Sequence, residues 1–478
     1  MAEFKNINFI YQDAEDERIY APELIDLTFV DINGILEQIR FQRKFIVSGP
    51  KGSGKSALAA KLSRMTDWNF FVETDILENF EYSLLEKTGA EKKASIGGAT
   101  ATWQLLLSLR IIPMILKDEG FRRKNNNIVK FYNSLKKYGL ISSENLTEFV
   151  QHTSRRGAFS SFNSAFLEAG FKRNNEENHR LKDPAALLSS IKEFFSHATT
   201  TDSTYYLVLD GLDYILRGGQ NNLKYIADLI SAVRDLNIFF SQNKFNAKVI
   251  ILIRNEIINI LPDPNLTKRL NDNGIILKWY DNSRKPFESS LLKIIENRAV
   301  LAGFEGDIKS LWGNWFPEKI HGKETLDFMI PKTRYLPRDM ISIFREIQKI
   351  KNPPFKENDV LAALKNYSDW FLGELNDALV GMVTEPVRTN LRNIVADLGK
   401  EFTLYQLREK LDEYKVLSPK EDEKLIAREM FEASWIGNKW EEYGRFKYQW
   451  KHRNEKANLM LDRNFVTHPG LLKSLNLV

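Results

Sequence analysis

With 478 residues, 43% hydrophobic and 27% charged, the chain has room for two to four domains and the balance of a folded protein, which excludes a largely disordered one. It contains no cysteine, which excludes a disulfide framework, a thiolate metal site and a cysteine nucleophile, and suits a cytoplasmic protein. A net charge of +5 with a pI near 8.9 is too mild for an obligate nucleic-acid binder, so any basic surface is local.

The first residues, Met1 to Lys5, run into polar sequence with an acidic cluster from Asp13 to Glu17 and no apolar stretch of the secretory kind. Ala21-Pro22-Glu23 marks a helix start, followed by an apolar rhythm through Leu24, Leu27, Ile32, Ile35, Leu36 and Ile39. Residues 1–40 therefore read as a helical lead-in. Lys44 to Ser48 is a short apolar run ending at glycine, and Ser56 to Met65 then has helical periodicity. Asn69 to Glu73 reads as a second strand.

Residues 86–199 break the alternation with helical segments separated by Gly97-Gly98, Asn125-Asn126-Asn127 and the polar run Lys172 to Asn178, and read as a helical insertion. Their most apolar stretch, Leu105 to Leu116, carries Arg110 and Pro113 and falls short of the ~20 residues that cross a bilayer, so it is expected to be a buried helix. No membrane association is expected. The core resumes at Thr204 to Asp210, continues through a helix from Leu223 to Leu236 and a strand from Lys248 to Ile253, and closes with Gly274 to Trp279. Near-continuous apolar strands alternating with helices imply a parallel sheet covered on both faces.

Phe287 to Ala302 and Pro337 to Ile350 are strongly periodic helices suited to a helical lid, residues 286–365. From 366 to 478 the pattern changes to helices followed by an alternating segment, Arg445 to Trp450, after the turn signal Tyr443-Gly444; this reads as a winged-helix-like domain. The expected fold class is thus α/β: a parallel sheet at 41–85 and 200–285, the helical insertion, the lid and the C-terminal domain.

The chemistry is concentrated at Gly49-Pro50-Lys51-Gly52-Ser53-Gly54-Lys55-Ser56, a full match to G-x-x-x-x-G-K-[ST] followed by Ala57. Average residue usage makes a chance match in a chain of this length a matter of about 2%, and a strand before it with a helix after it is the context a phosphate-binding P-loop requires. The glycines let backbone N–H groups surround phosphates, the helix directs its positive end at them, Lys55 reaches the outer phosphates and Ser56 ligates Mg²⁺. Such a site also needs an acid at the end of a buried strand to hold the metal. Leu207-Val208-Leu209-Asp210 supplies it, making Asp210 the Walker B candidate. Asp213, three residues on, fits either a carboxylate that orients the attacking water or a helix N-cap.

These two signatures, with Leu-Val-Leu-Asp-Gly-Leu-Asp at the strand end, resemble the STAND and origin-recognition-like branch of the AAA+ ATPases, and also little-characterised bacterial P-loop ATPases with a C-terminal domain. The resemblance covers about residues 40–80 and 200–350. It implies ATP and Mg²⁺ as cofactors, homo-oligomerisation, and a nucleotide switch that engages a partner, with stress or antiviral defence as the setting in some bacterial relatives. It also implies three arginines: Arg254 as a sensor at the end of the strand after Walker B, Arg269 as a finger into a neighbouring subunit's site, and Arg338, in Tyr335-Leu336-Pro337-Arg338-Asp339, as a second sensor on the lid. Such proteins usually carry an acid directly after the Walker B aspartate. Here Gly211 follows Asp210, which implies slow turnover.

Leu216-Arg217-Gly218-Gly219-Gln220 looks like an ABC signature, but that motif precedes Walker B and this segment follows it. Asn438-Lys439-Trp440-Glu441 has the wrong acid for guanine recognition, so ATP is favoured over GTP. The six histidines form no zinc-binding spacing, and nothing marks the acceptor pocket of a small-molecule kinase. In the C-terminal domain Arg445, Lys447, Lys451, His452, Arg453 and Lys456 interleave with Phe446, Tyr448 and Trp450. That pattern fits a DNA-binding wing of an origin-loader-like ATPase. It also fits a solvated hairpin with its aromatics turned inward, the reading that the diluting charges of Glu441, Glu442 and Glu455 favour, in which case the domain would dock a protein partner.

Overall fold

Strands that are apolar on both faces are stable only inside a sheet with helices above and below it. The computed structural model describes residues 3–11, 14–65, 68–77, 98–137, 168, 184–212, 221–281, 285–419 and 421–478, and in it the chain divides into two units.

One unit comprises residues 36–48 and 61–276. It holds the parallel sheet, built from β1 (Ile46–Gly49), β2 (Phe70–Ile76), β3 (Thr204–Asp210), β4 (Ala247–Arg254) and β5 (Gly274–Ile276) in the spatial order β2-β3-β4-β1-β5. Register is fixed by continuous pairing, Phe70 opposite Thr204 through Ile76 opposite Asp210, and Leu207 opposite Val249. The inner residues Leu207, Val208, Leu209, Val249, Ile250 and Ile251 are fully buried.

Gly98–Ile115 forms one long helix with Pro113 inside it; it packs against the helices Pro184–Ser196 and Asn221–Gln242. Its Arg110 is neutralised by Asp75 of β2, Nε to Oδ2 at 2.9 Å, and by Glu73. This explains how a charge sits in so apolar a stretch: paired burial avoids the desolvation penalty of a lone ion. Among the described residues no helix is long and apolar enough to cross a membrane.

The other unit comprises residues 1–35, 49–60 and 277–478. Phe4 and Phe9, from a stretch whose polar sequence offers no element, are buried; Phe4 meets Trp315 edge-on at 5.0 Å and Phe9 lies 5.3 Å from Phe344. Helices α1 (Ala14–Tyr20) and α2 (Pro22–Thr28) follow. Ile35–Phe41, α3, leads to the sheet, and α4 is Lys55–Ser63.

The helices after residue 277 are α5 (Ser290–Leu301), α6 (Ile308–Trp315), α7 (Thr325–Met329), α8 (Pro337–Gln348) and α9 (Glu357–Ala378). The change of pattern expected at residue 366 is not a break, since α9 runs through it for 22 residues. Its buried face, Val360, Ala363, Leu364, Tyr367, Phe371 and Leu375, repeats at helical spacing across that point, which the overall shift in composition masks.

Next come α10 (Glu385–Leu398), β6 (Glu401–Phe402), α11 (Leu404–Glu413), α12 (Glu423–Glu432), β7 (Ile436–Glu442), β8 (Arg445–Gln449) and β9 (Asn464–Thr467). The last four strands form a sheet ordered β8-β7-β9-β6. Tyr443 and Gly444, both at positive φ of 51° and 72°, make the tight turn whose twist matches the β7–β8 hairpin.

Candidate functional site

Gly49 ends β1, and the chain turns through Pro50 to Gly54 before α4 begins at Lys55. Gly52 and Gly54 have φ of +86° and +94°, values that glycine adopts without steric cost and that let neighbouring amides converge on an anion. Gly52 is constrained twice over, because a Cβ there would lie 3.0 Å from Cβ of Arg338. At Gly49 a Cβ would meet Ser53 Oγ at 2.5 Å. Lys55 is buried, and its Nζ donates to the carbonyls of Gly49 at 2.9 Å and Pro50 at 3.0 Å, so the ammonium lies folded along the loop. Ser56 and Ala57 are half-buried at the start of α4.

The loop is held from the helical side. Trp279 Nε1 donates to the Ser53 carbonyl at 2.8 Å. The strand expected over Gly274 to Trp279 stops at Ile276, because Leu277 to Trp279 leave the sheet and Trp279 serves as this strut. Arg338, second residue of α8, has its backbone N–H 3.4 Å from the Gly52 carbonyl.

Beside it, Arg334 and Asp339 form a fully buried pair: Asp339 accepts from the Arg334 backbone N–H at 2.8 Å, from Nε at 3.0 Å and from Nη2 at 2.6 Å. Burial by itself would lower the Arg334 pKa; Asp339, with Glu374 behind it, raises it above the ordinary arginine value. On α9, Glu374 lies 3.2 Å from Lys51 Nζ, 3.6 Å from Arg338 Nη1 and 3.8 Å from Arg334 Nη2.

Next to the loop an apolar cavity of about 80 Å³ is lined by Val30 and Ile32, by Ala57 and Leu58 of α4, and by Trp279 and Ile341. The ion-paired Glu17 and Arg298 also line it, and it is well below the roughly 300–1,000 Å³ of small-molecule sites.

In the sheet-bearing unit, Asp210 ends β3 and its Oδ1 accepts the Gly211 N–H at 2.8 Å; Gly211 takes a φ of +76°. Arg254 ends β4 and occupies the N-cap position of the helix Asn255–Ile260. Since β4 lies between β1 and β3, the strand that carries Arg254 stands between the one that leads to the loop and the one that carries Asp210. Arg269 is on the helix Leu266–Asn273 that enters β5, and its guanidinium is engaged within this unit, 2.6 Å from Asp263 Oδ2 and 2.6 Å from Ser231 Oγ. Asp213 and the segment 216–220 lie outside the described residues.

In the hairpin, Trp450 is buried, but Phe446 and Tyr448 are 60% and 50% exposed. The inward-facing aromatics expected from period-2 spacing are therefore corrected for these two: β8 is the edge strand of its sheet, Arg445 to Tyr448 are exposed, and the Phe446 ring is met by the Lys439 ammonium at 4.3 Å. Lys451 pairs with Glu432 at 2.8 Å. Burial, followed by neighbouring His468 and Arg453, pushes the His452 imidazole well below its ordinary value, so neither residue offers a surface cation. Asn438 is buried and clamps the Met460 backbone, donating at 2.8 Å and accepting at 2.9 Å, a structural role. Among the described residues no group of His, Cys, Asp or Glu is placed to hold a metal by itself.

Trp279, Glu374 and Arg334 are absent from any motif reading, and Asp339 enters one only as the neighbour of Arg338. Glu374 lies more than three hundred positions from Lys51, and no local pattern signals such a contact.

Residues 289–376 match the family model of the FunZ-associated C-terminal helical domain, which spans α5 to most of α9 and so includes Arg338 and Glu374. No curated protein matches the chain. Among solved structures the chain is similar to the Walker-type ATPase PABY2304 of Pyrococcus abyssi, at 12% identity, over 93% of this chain and 95% of that chain, with a TM-score of 0.36. That overlap is too loose to carry residue roles across.

Proposed function

We propose that the chain is an ATP-binding, slowly hydrolysing ATPase whose nucleotide state is read by the helical region after the sheet. The observation that carries this reading is the seating of Arg338 against Gly52: its backbone N–H is 3.4 Å from the Gly52 carbonyl, and a Cβ at Gly52, already strained at a φ of +86°, would lie 3.0 Å from the Arg338 Cβ. The loop amides and Lys55 bind the phosphates, and Arg338 reaches the terminal phosphate. Ser56 and Asp210 are the hard oxygen donors that suit Mg²⁺, which when bound neutralises charge on the phosphates. Asp213 is proposed to orient the attacking water and Arg254 to sense the terminal phosphate.

Arg269 would act on a neighbouring copy's nucleotide only after leaving Asp263, which ties hydrolysis to homo-oligomer assembly. The strand order, with the Arg254 strand set between the other two, supports the AAA+/STAND-like reading; a role in defence is proposed on the resemblance alone.

Arg338→Ala tests the reading. ATP affinity is expected to fall about tenfold, roughly 1.4 kcal/mol, with ADP affinity unchanged, as measured by titration calorimetry with Mg²⁺. Equal losses for both nucleotides would show that Arg338 supports the loop and does not read the terminal phosphate.

A second reading, DNA binding, is favoured by the exposed Phe446 and Tyr448 beside Arg445 and Lys447. The order helix α10, strand β6, helices α11 and α12 and the β7–β8 hairpin supports a winged helix, with the hairpin as wing. Single-stranded DNA would stack on the rings while the cations neutralise phosphates. Arg445→Ala/Lys447→Ala is expected to reduce the log-log salt slope of single-stranded DNA affinity by about 1.4. No binding at low salt, or an unchanged slope, would make the wing a protein-docking element instead.

A further inference from the structure

Three cations gather on one carboxylate in the helical unit, and they are not held alike. Arg334 is locked to Asp339 by three hydrogen bonds and meets Glu374 only at 3.8 Å. Lys51, from the phosphate loop, donates to Glu374 Oε1 at 3.2 Å. Glu374 Oε2 is buried 3.6 Å from Arg338 Nη1 yet makes no hydrogen bond. Burial alone would raise the Glu374 pKa, but Lys51, Arg338 and Arg334 outweigh it and hold the carboxyl below its ordinary range, so it is an anion at neutral pH.

The charge is therefore bound tightly to the loop and loosely to the lid arginine. Two of its partners are residues that the phosphates of a nucleotide would also attract, and phosphate on the same cations would bring a second anion against the buried carboxylate, whose repulsion opposes keeping both.

We propose that Glu374 is a built-in counter-anion of the phosphate site, which nucleotide phosphates must displace from Arg338 and Lys51, so that phosphate binding frees the last turns of α9. This rests on the ATP-binding reading above. Glu374 stands one turn before the end of α9 at Ala378, and the chain passes from there to Thr384 and α10. Displacing the carboxylate thus acts on the helix that leads into the C-terminal sheet domain. Glu374 is a positioning residue here, acting on phosphate through the two cations.

The test uses the full-length chain, with ATP and Mg²⁺ as probe. Glu374→Gln keeps the shape and removes the charge, and is expected to tighten ATP about tenfold; in the Arg338→Ala background the same change should gain only about threefold, because one of the two contested cations is gone. Hydrogen exchange in residues 370–378 should accelerate when ATP is added to the parent protein and should already be fast in Glu374→Gln without nucleotide. A purely structural glutamate would show the reverse, with weaker ATP binding, a lowered melting temperature and no coupling to Arg338. That result, or unchanged affinity in a folded variant, overturns the proposal. Should Glu374→Gln fail to fold, Glu374→Asp keeps the charge but withdraws it, and is expected to tighten ATP about threefold; no gain overturns the proposal. A parent protein that does not bind ATP at all, or binds it as well after Lys55→Ala, would instead sink the ATP reading itself, and the comparison of these two proteins separates that failure from the other.

Discussion

Lys55→Ala is expected to weaken ATP binding by about a hundredfold, with the fold intact. The Lys55 ammonium donates two hydrogen bonds to the loop's own carbonyls, at Gly49 and Pro50, so it is positioned along the path a polyphosphate would take. Moving it onto phosphate oxygens replaces two neutral acceptors by charged ones. Charge-assisted bonds of this kind contribute about 1.5–3 kcal/mol each, and a net loss of about 3 kcal/mol corresponds to roughly two decades in affinity. The loop is also set by Gly52, Gly54, the Trp279 strut and Arg338, so the fold should be kept, with a modest drop in melting temperature for the Gly49 and Pro50 carbonyls that lose their donor. Calorimetric titration of ATP into both proteins, with thermal melts alongside, checks this. A variant that binds like the parent would remove the basis for calling this a phosphate loop.

Asp339→Ala should cost the helical unit about 3–5 kcal/mol, the penalty of leaving a buried charge without its partner. Asp339 is 0% exposed and takes three hydrogen bonds from Arg334, one of them from its backbone. Its removal strands a guanidinium that burial already disfavours, and it loosens the start of α8 immediately after Arg338. Stability and function should therefore fall together: a large drop in the denaturation midpoint, and a loss of ATP affinity at least as great as that of Arg338→Ala. Asp339→Asn, which keeps acceptor atoms but no charge, should recover part of the stability. Urea denaturation of the three proteins measures it, and a loss below about 1 kcal/mol in the alanine variant would mean that Arg334 finds another counter-ion, with Glu374 the nearest candidate.

What was legible in the amino-acid order follows from range. The strand Thr204–Asp210 is observed at the expected residues, because a continuous apolar run bounded by polar ones has few alternatives to a buried strand. The phosphate loop is equally local: left-handed φ at Gly52 and Gly54 and a helix opening at the lysine are consequences of eight consecutive residues. The long apolar helix with Arg110 was also readable as buried, although the partners that make its charge tolerable, Glu73 and Asp75, lie on a strand about 35 positions earlier.

Other features depend on contacts that no window of sequence contains. Phe4 and Phe9 sit in a polar stretch and become core residues only because Trp315 and Phe344 are folded over them. Trp279 looks like the end of a strand and becomes a strut for the loop; Phe446 and Tyr448 alternate like buried residues and are left exposed because β8 is an edge.

By itself, then, the sequence determined the alternation of strands and helices and the glycine turn between β1 and α4, since backbone preference and apolar periodicity act over a few residues. Only the tertiary structure decided that Arg338 packs on Gly52 and that Glu374 faces Lys51 across 323 positions. Pairings between charges on separate elements are set by how packed helices are oriented, and that orientation follows from the whole buried core.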